Sequence, residues 1–145
     1  MFILLRHAEA MPLSQMLFAD DGASDSVRYL TSRGRLQAIS AGDQLRAEFG
    51  LTGPVRVVTS PITRAVQTAE LLSVGPIEAV SVWHVDSSTH AAIRWMSRQD
   101  SNEAIVIVGH EPLLSAVHAQ ISGTSEQPFE LCEHRVLSFN RVGSR

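Results

Sequence analysis

Two short stretches of this chain, Phe2-Ile3-Leu4-Leu5 and Ala104-Ile105-Val106-Ile107-Val108, are apolar at every position. A strand with one wet face alternates apolar and polar side chains. An unbroken apolar run needs cover on both faces, which a mostly parallel sheet between two helical layers supplies. The segments between these runs fit that requirement. Residues 32–49 carry Leu36, Ile39, Leu45 and Phe49 at helical spacing, with Thr31 as N-cap and Gly50 as terminator. Val55–Thr59 reads as a second strand, and Pro61 suits the first turn of a helix running to about Leu72. A third strand is expected over Ala79–Trp83, and a helix over residues 89–98 with Ile93 and Met96 facing inward. The apolar run Ala104–Val108 is the fourth strand. A helix follows from Pro112 to about Ile121, and a final strand over Arg135–Asn140.

The implied fold is α/β: a three-layer sandwich with a mostly parallel central sheet and helices on both faces. The length of 145 residues and a hydrophobic content of 44% fit a single domain over residues 1–145 with one well-buried core. The connection over residues 8–30, with Pro12 and Asp20-Asp21-Gly22, is longer than a link requires; loops of that kind are usually functional or mobile.

Composition narrows the chemistry. The net charge of −3 offers no basic footprint for nucleic acid. A single cysteine, Cys132, cannot form an intrachain disulfide and suits a reducing compartment. The run Phe2–Leu5 is too short for a signal-peptide core or a membrane span. The expectation is a soluble, cytoplasmic protein, monomeric by default, with no membrane and no nucleic-acid partner. The sequence contains no lysine, which excludes a P-loop lysine and a Schiff base. Phosphate recognition would fall to arginine, histidine and backbone N–H groups.

In open α/β sheets ligands bind beyond the carboxyl ends of the strands. The residues that follow the expected strands are Arg6-His7, then Ser60-Pro61 with Arg64 one turn later, then His84 and Asp86, then Gly109-His110-Glu111-Pro112. Two histidines and two arginines thus meet at one edge. Guanidinium groups bind phosphate oxygens in pairs, and the helix start at Pro112 would add N–H donors. A histidine whose Nδ1–H is held by a backbone carbonyl can attack phosphorus through Nε2. Arg6, Arg64 and a protonated His110 would balance the charge on the transferring group.

These residues lie in recognisable motifs. Leu5-Arg6-His7-Ala8-Glu9-Ala10 resembles the Arg-His-Gly signature of the histidine phosphatase superfamily, the phosphoglycerate-mutase-like fold. Leu30-Thr31 with Gly34 and Gln37-Ala38 is similar to that family's first helix start. Ser60-Pro61 with Arg64-Ala65 and Gln67-Thr68-Ala69 resembles its second signature, and Gly109-His110-Glu111-Pro112 its last catalytic turn. The resemblance implies a cofactor-free enzyme in which His7 accepts the phosphoryl group and Arg6, Arg64 and His110 form the phosphate pocket. Two positions depart from the pattern. Ala8 stands in place of the usual glycine, so a methyl group is either tolerated there or crowds the pocket. The general acid is often a glutamate after the third strand, where this chain offers Asp86 and His84. Glu9 and Glu111 are expected to be structural partners of arginines.

The chain has little room for the capping insertions of larger members. The stretch Ala23-Ser24-Asp25-Ser26-Val27-Arg28 resembles the short bacterial phosphohistidine phosphatases, which implies phosphohistidine on a phosphotransfer domain in signal transduction as substrate. An imidazole leaving group, with a reference pKa of roughly 6.5, needs less help from an acid than an alkoxide does. Asp25 and Arg28 either pair across the loop or touch substrate. The rival readings are a broad small-molecule phosphomonoesterase acting on a small phosphoester and a non-catalytic regulator that binds phosphate or phosphoprotein. A metal hydrolase is disfavoured because Leu114 and Pro112 break the zinc helix pattern begun by His110-Glu111. A dinucleotide module is disfavoured because no glycine-rich loop follows the first strand. His90, His118 and His134 are read as bland, and Trp83 and Trp95 as core.

Overall fold

The computed structural model describes residues 1–16, 25–50, 55–100 and 102–138. Among them a sheet of five strands runs in the order β3-β2-β4-β1-β5. The strands are β1 (Phe2–Arg6), β2 (Val55–Thr59), β3 (Ile77–Ala79), β4 (Ala104–Gly109) and β5 (His134–Leu137). The first four are mutually parallel, and β5 runs antiparallel against β1. Four helices accompany them: α1 (Ser32–Phe49), α2 (Thr63–Leu72), α3 (Thr89–Ser97) and α4 (Leu113–Ser122). Among the described residues no helix is long and apolar enough to cross a membrane.

The unbroken apolar runs divide by parity between two cores. Ile3, Leu5, Val57, Val106 and Val108 pack with Ala41 and Leu45 of α1 and with Ala65, Ala69 and Leu72 of α2. Leu4, Val58, Ile105 and Ile107 point the other way, to Met96 of α3, Leu114 and Val117 of α4, Trp83 and Phe129. This is the two-residue period of a strand read on two buried faces. Each fully buried branched side chain contributes roughly 1.5–3 kcal/mol.

The helix α1 begins where expected, with Thr31 Oγ1 accepting from Gly34 N at 2.9 Å, and ends at Gly50 in the left-handed region (φ 54°). Its buried stripe is not the expected one. Leu36 is 69% exposed and Ile39 43% exposed, whereas Gly34, Ala38, Ala41, Gly42 and Leu45 face inward. Close approach explains the choice: a Cβ at Gly42 would lie 2.1 Å from the Leu72 carbonyl oxygen of α2, and one at Gly34 2.1 Å from that of Glu9. Small residues let the backbones meet, and the larger apolar side chains are left outside.

The third strand also differs. It covers Ile77–Ala79, and Ser81–Trp83 is a 3-10 turn. Val80 N donates to Thr59 O at 2.9 Å beyond the end of the ladder, and the turn that follows takes Trp83 into the core, edge-on to Trp95 at 5.9 Å. Pro61 lies two residues before α2, whose N-cap is Ile62. In α3, Met96 is buried and Ile93 partly so. The final strand starts one residue early, at His134, and ends at Leu137, short of the expected end at Asn140, which itself lies outside the described residues.

The long connection after β1 is closed at its base by an Ala10–Leu30 bridge and by Met11 N donating to Tyr29 O at 2.8 Å. Leu13–Gln15 and Asp25–Val27 form short 3-10 turns. Asp20–Gly22, Ala23 and Ser24 lie outside the described residues.

Candidate active site

The sheet order brings three strand ends together. Arg6 is in register with Gly109 across β1 and β4, so His7 and His110 emerge side by side with ring centroids 5.2 Å apart. Ser60, after β2, flanks β4 through Ser60 N to Val108 O at 3.0 Å. Arg64 enters from the first turn of α2 and is buried.

His7 has a defined tautomer. Its Nδ1 lies 2.8 Å from the Ala8 carbonyl oxygen, which can only accept, so Nδ1 carries the proton. Nε2 is then left with a lone pair, and Arg64 Nε donates to it at 3.3 Å. Burial, with the charges of Arg64 and Arg6, pushes the His7 pKa down to about 4 despite the carbonyl contact. His7 is therefore neutral at pH 7, with its Nε2 lone pair available.

His110 places Nε2 2.8 Å from Ser60 Oγ. Its Nδ1 and the Nε of Arg6 are buried polar atoms without a hydrogen-bond partner among the described residues. Burial first, then the charges of His7 and Arg64, push its pKa down to about 3. The expected protonated His110 does not hold for the resting site, because the ring is itself buried and faces the charge of Arg64. Arg6 is fixed by its NH1, which donates to Phe129 O at 2.8 Å. The expected donors at the start of α4 are reduced by one, since Leu114 N already donates to His110 O at 3.0 Å.

Arg64 has further partners. Its NH1 donates to the Asp25 carbonyl at 3.0 Å and its NH2 meets the Asp25 carboxylate at 2.9 Å. The other Asp25 oxygen pairs with Arg28 at 3.0 Å. The expected Asp25–Arg28 pair is present, and the link to Arg64 was not foreseen: nothing in the sequence ties residues 39 positions apart. Partial burial acts to raise the Asp25 pKa, but Arg28 and Arg64 outweigh it and hold the carboxyl below its usual value.

The two candidate acids differ. The Asp86 side chain is 89% exposed, and its nearest basic contact is His84 Nδ1 at 3.8 Å. His84 accepts from Asp86 N through Nδ1 at 3.2 Å, which leaves the proton of the neutral ring on Nε2. A charge on this ring would be felt at His110. His84 thus lies within the electrostatic reach of the pocket, while Asp86 faces solvent.

Several motif residues act as scaffold. Thr68 Oγ1 accepts from Ala8 N at 3.0 Å and donates to Arg64 O at 2.8 Å. Gln37 accepts from Glu9 N at 3.0 Å, and Gln67 from Leu30 N at 2.8 Å. The Ala8 methyl does not crowd the site: Ala8 is buried in a small cluster with Leu30 and Ala38. Among the described residues Glu9 and Glu111 hold groups other than the expected arginines. Glu9 accepts from Thr31 Oγ1 at 2.8 Å; Glu111 accepts from Ser115 Oγ at 2.5 Å and Phe129 N at 2.8 Å.

Outside the site, His134 meets Glu48 at 2.9 Å, His90 is exposed, and burial raises the Cys132 thiol to about 11. Among the described residues no three His, Cys, Asp or Glu side chains cluster as a metal site.

Comparison with known proteins places this geometry. Residues 2–83 match the family described as the histidine phosphatase superfamily (branch 1). The fold superposes on a putative phosphohistidine phosphatase SixA from Agrobacterium tumefaciens with a TM-score of 0.75 and 21% identity, covering 97% of this chain and 91% of that one. A protein histidine phosphatase SixA complexed with tungstate gives a TM-score of 0.74 and 22% identity, over 90% of this chain and 83% of that one. The mitochondrial serine/threonine-protein phosphatase Pgam5 of Drosophila virilis is 40% identical over 70 residues, which is 48% of this chain and 21% of the relative. The chain therefore spans about a fifth of the length of that curated relative.

Proposed function

This chain belongs to branch 1 of the histidine phosphatase superfamily, and from that premise we propose that it is a metal-independent phosphatase that uses His7 as phosphoryl acceptor and takes phosphohistidine on a partner protein as substrate. Family membership supports phosphatase activity. The observation that carries the finer reading is the His7 tautomer: Nδ1–H is held by the Ala8 carbonyl at 2.8 Å and the Nε2 lone pair lies at the Arg64 guanidinium.

The reaction follows from these atoms. The Nε2 lone pair attacks phosphorus in line, the bond from phosphorus to the leaving nitrogen breaks, and the leaving imidazole takes a proton. The new Nε2–P bond puts positive charge on the ring, which the Ala8 carbonyl stabilises through Nδ1–H. Arg6 and Arg64 balance the charge on the phosphoryl oxygens. The phosphoryl dianion also reverses the field at His110, so that its proton affinity rises when substrate binds. Water then cleaves the Nε2–P bond, releasing inorganic phosphate and restoring His7.

The leaving group decides between substrates. With Asp86 89% exposed and Asp25 held by two arginines, the described residues near His7 place no free carboxylic acid to protonate an alkoxide. His84, which presents Nε2–H, is the better candidate donor and is adequate for an imidazole leaving group. The match to SixA folds, one named a putative phosphohistidine phosphatase and the other a protein histidine phosphatase, supports the same substrate class.

The test is phosphate release from a phosphohistidine-bearing protein by wild type and His7→Ala, with chelator present. Fast release abolished by the substitution supports the proposal. Release that persists in His7→Ala refutes the role of His7. Binding without release identifies a phosphate-binding regulator instead.

A further inference from the structure

Arg64, a residue of the phosphate pocket, has no guanidinium nitrogen left over in the resting site. Nε donates to His7 Nε2 at 3.3 Å, NH1 to the Asp25 carbonyl at 3.0 Å, and NH2 to the Asp25 carboxylate at 2.9 Å. The Arg64 side chain is 6% exposed and that of Asp25 53%, so a buried guanidinium meets a carboxylate that solvent still reaches. The two oxygens of Asp25 are shared between two guanidinium groups, Oδ2 on Arg64 and Oδ1 on Arg28. Arg28 is itself anchored, with Nε donating to Met11 O at 2.7 Å. Two guanidinium groups converging on one small anion is how proteins bind a phosphoryl group. The charge of Asp25 also acts on His110.

We propose that the Asp25 carboxylate is a built-in competing anion, which occupies the Arg64 fork at rest and must leave it before a phosphoryl group can be bound. The inference rests on reading this pocket as a phosphoryl site. Displacement has a second consequence: Arg64 turns from His7 toward the incoming oxygens, and the Nε2 lone pair is uncovered as the target arrives. Substrate binding and release of the nucleophile are thereby one event. The residue is carried on the 3-10 turn Asp25–Val27, on a loop closed at its base, so it can withdraw without disturbing the sheet.

A competing anion lowers the apparent affinity of every ligand by one factor, the fraction of molecules in the open state. Plain charge repulsion by a nearby carboxylate would instead weaken a dianion more than a monoanion. Phenylphosphonate and methyl(phenyl)phosphinate separate the two effects at about pH 8: they are close in shape, differ by one charge, and carry only carbon and unesterified oxygen on phosphorus, so neither offers a leaving group. Calorimetric titration of full-length wild type, Asp25→Asn and Asp25→Ala with both probes is the experiment. A resting contact that leaves roughly a tenth to a third of molecules open predicts that both variants bind both probes about three- to tenfold more tightly, by equal factors. Unchanged or weaker binding overturns the proposal, as does tightening confined to the dianion. If neither probe binds wild type or either variant, the phosphoryl-site reading itself fails. If both bind and Arg64→Ala abolishes binding while the Asp25 variants match wild type, that reading stands and only the competitor falls.

Discussion

Replacing Thr68 by valine removes one hydroxyl from the interior and leaves the shape of the side chain nearly intact. That hydroxyl joins two segments of the site: it accepts from Ala8 N at 3.0 Å and donates to Arg64 O at 2.8 Å. Thr68 and Ala8 are both fully buried. The valine variant therefore strands the Ala8 N–H away from water, at about 1–3 kcal/mol. The Arg64 carbonyl loses less, since it lies one helical turn before position 68 in α2 and back-bonding of this kind only supplements the helix. Thr68→Ser keeps the hydroxyl and loses a methyl group, which costs about 1 kcal/mol. The catalytic effects should separate further. The Ala8 peptide carries the carbonyl that fixes His7 Nδ1, so a displaced Ala8 misaligns Nε2. Valine should lower kcat about tenfold, the equivalent of ~1.4 kcal/mol in the barrier, while serine stays within about twofold of wild type. Urea unfolding with unchanged m-value reads the stability, and phosphate release from an aryl phosphate or a phosphohistidine protein reads kcat. A valine variant as stable and active as wild type, or a serine variant equally impaired, would refute the reasoning.

Gly42→Ala puts a methyl group 2.1 Å from the Leu72 carbonyl oxygen, so α1 and α2 must separate; a loss of about 1–3 kcal/mol is expected from overpacking, and an unchanged urea midpoint would contradict it. Leu45→Ala should cost about 2–5 kcal/mol because Leu45 is fully buried, while Leu36→Ala, at a position 69% exposed, should stay within about 0.5 kcal/mol of wild type. Stability should also fall with acidification. His7 and His110 have pKa values lowered to about 4 and about 3, below the value near 6.5 of an unfolded histidine. Between about pH 6.5 and 5 the unfolded chain therefore binds protons that the native site does not. Each histidine removes up to about 1.4 kcal/mol per pH unit, and His7→Gln should remove one histidine's share of the slope; equal slopes for the two proteins would argue against a buried neutral His7.

Local sequence suffices for the apolar run Phe2–Leu5 of β1, the cap and stop of α1, and the alternation of strands and helices that requires a parallel sheet. These are local matters. A continuous apolar run, a threonine before a helix and a glycine after it act through their nearest neighbours along the chain. The strand-end rule likewise named His7, Arg6, Arg64 and His110, because parallel strands deliver their ends to one edge whatever their order. Tertiary structure decided the rest. The buried stripe of α1 is set by how closely two backbones approach, so Ala41 and Gly42 face inward and the more hydrophobic Leu36 faces out. The third strand ends early because its pairing with β2 stops at Ala79 and Trp83 is drawn into the core. The contrast between His84, within reach of His110, and Asp86, in solvent, depends on a loop path no spacing specifies. Asp25 meets Arg64 only because the 3-10 turn Asp25–Val27 is set against α2, far away along the chain. Contacts of that kind are made through space between distant segments, and their energies exist only once the sheet has brought those segments together.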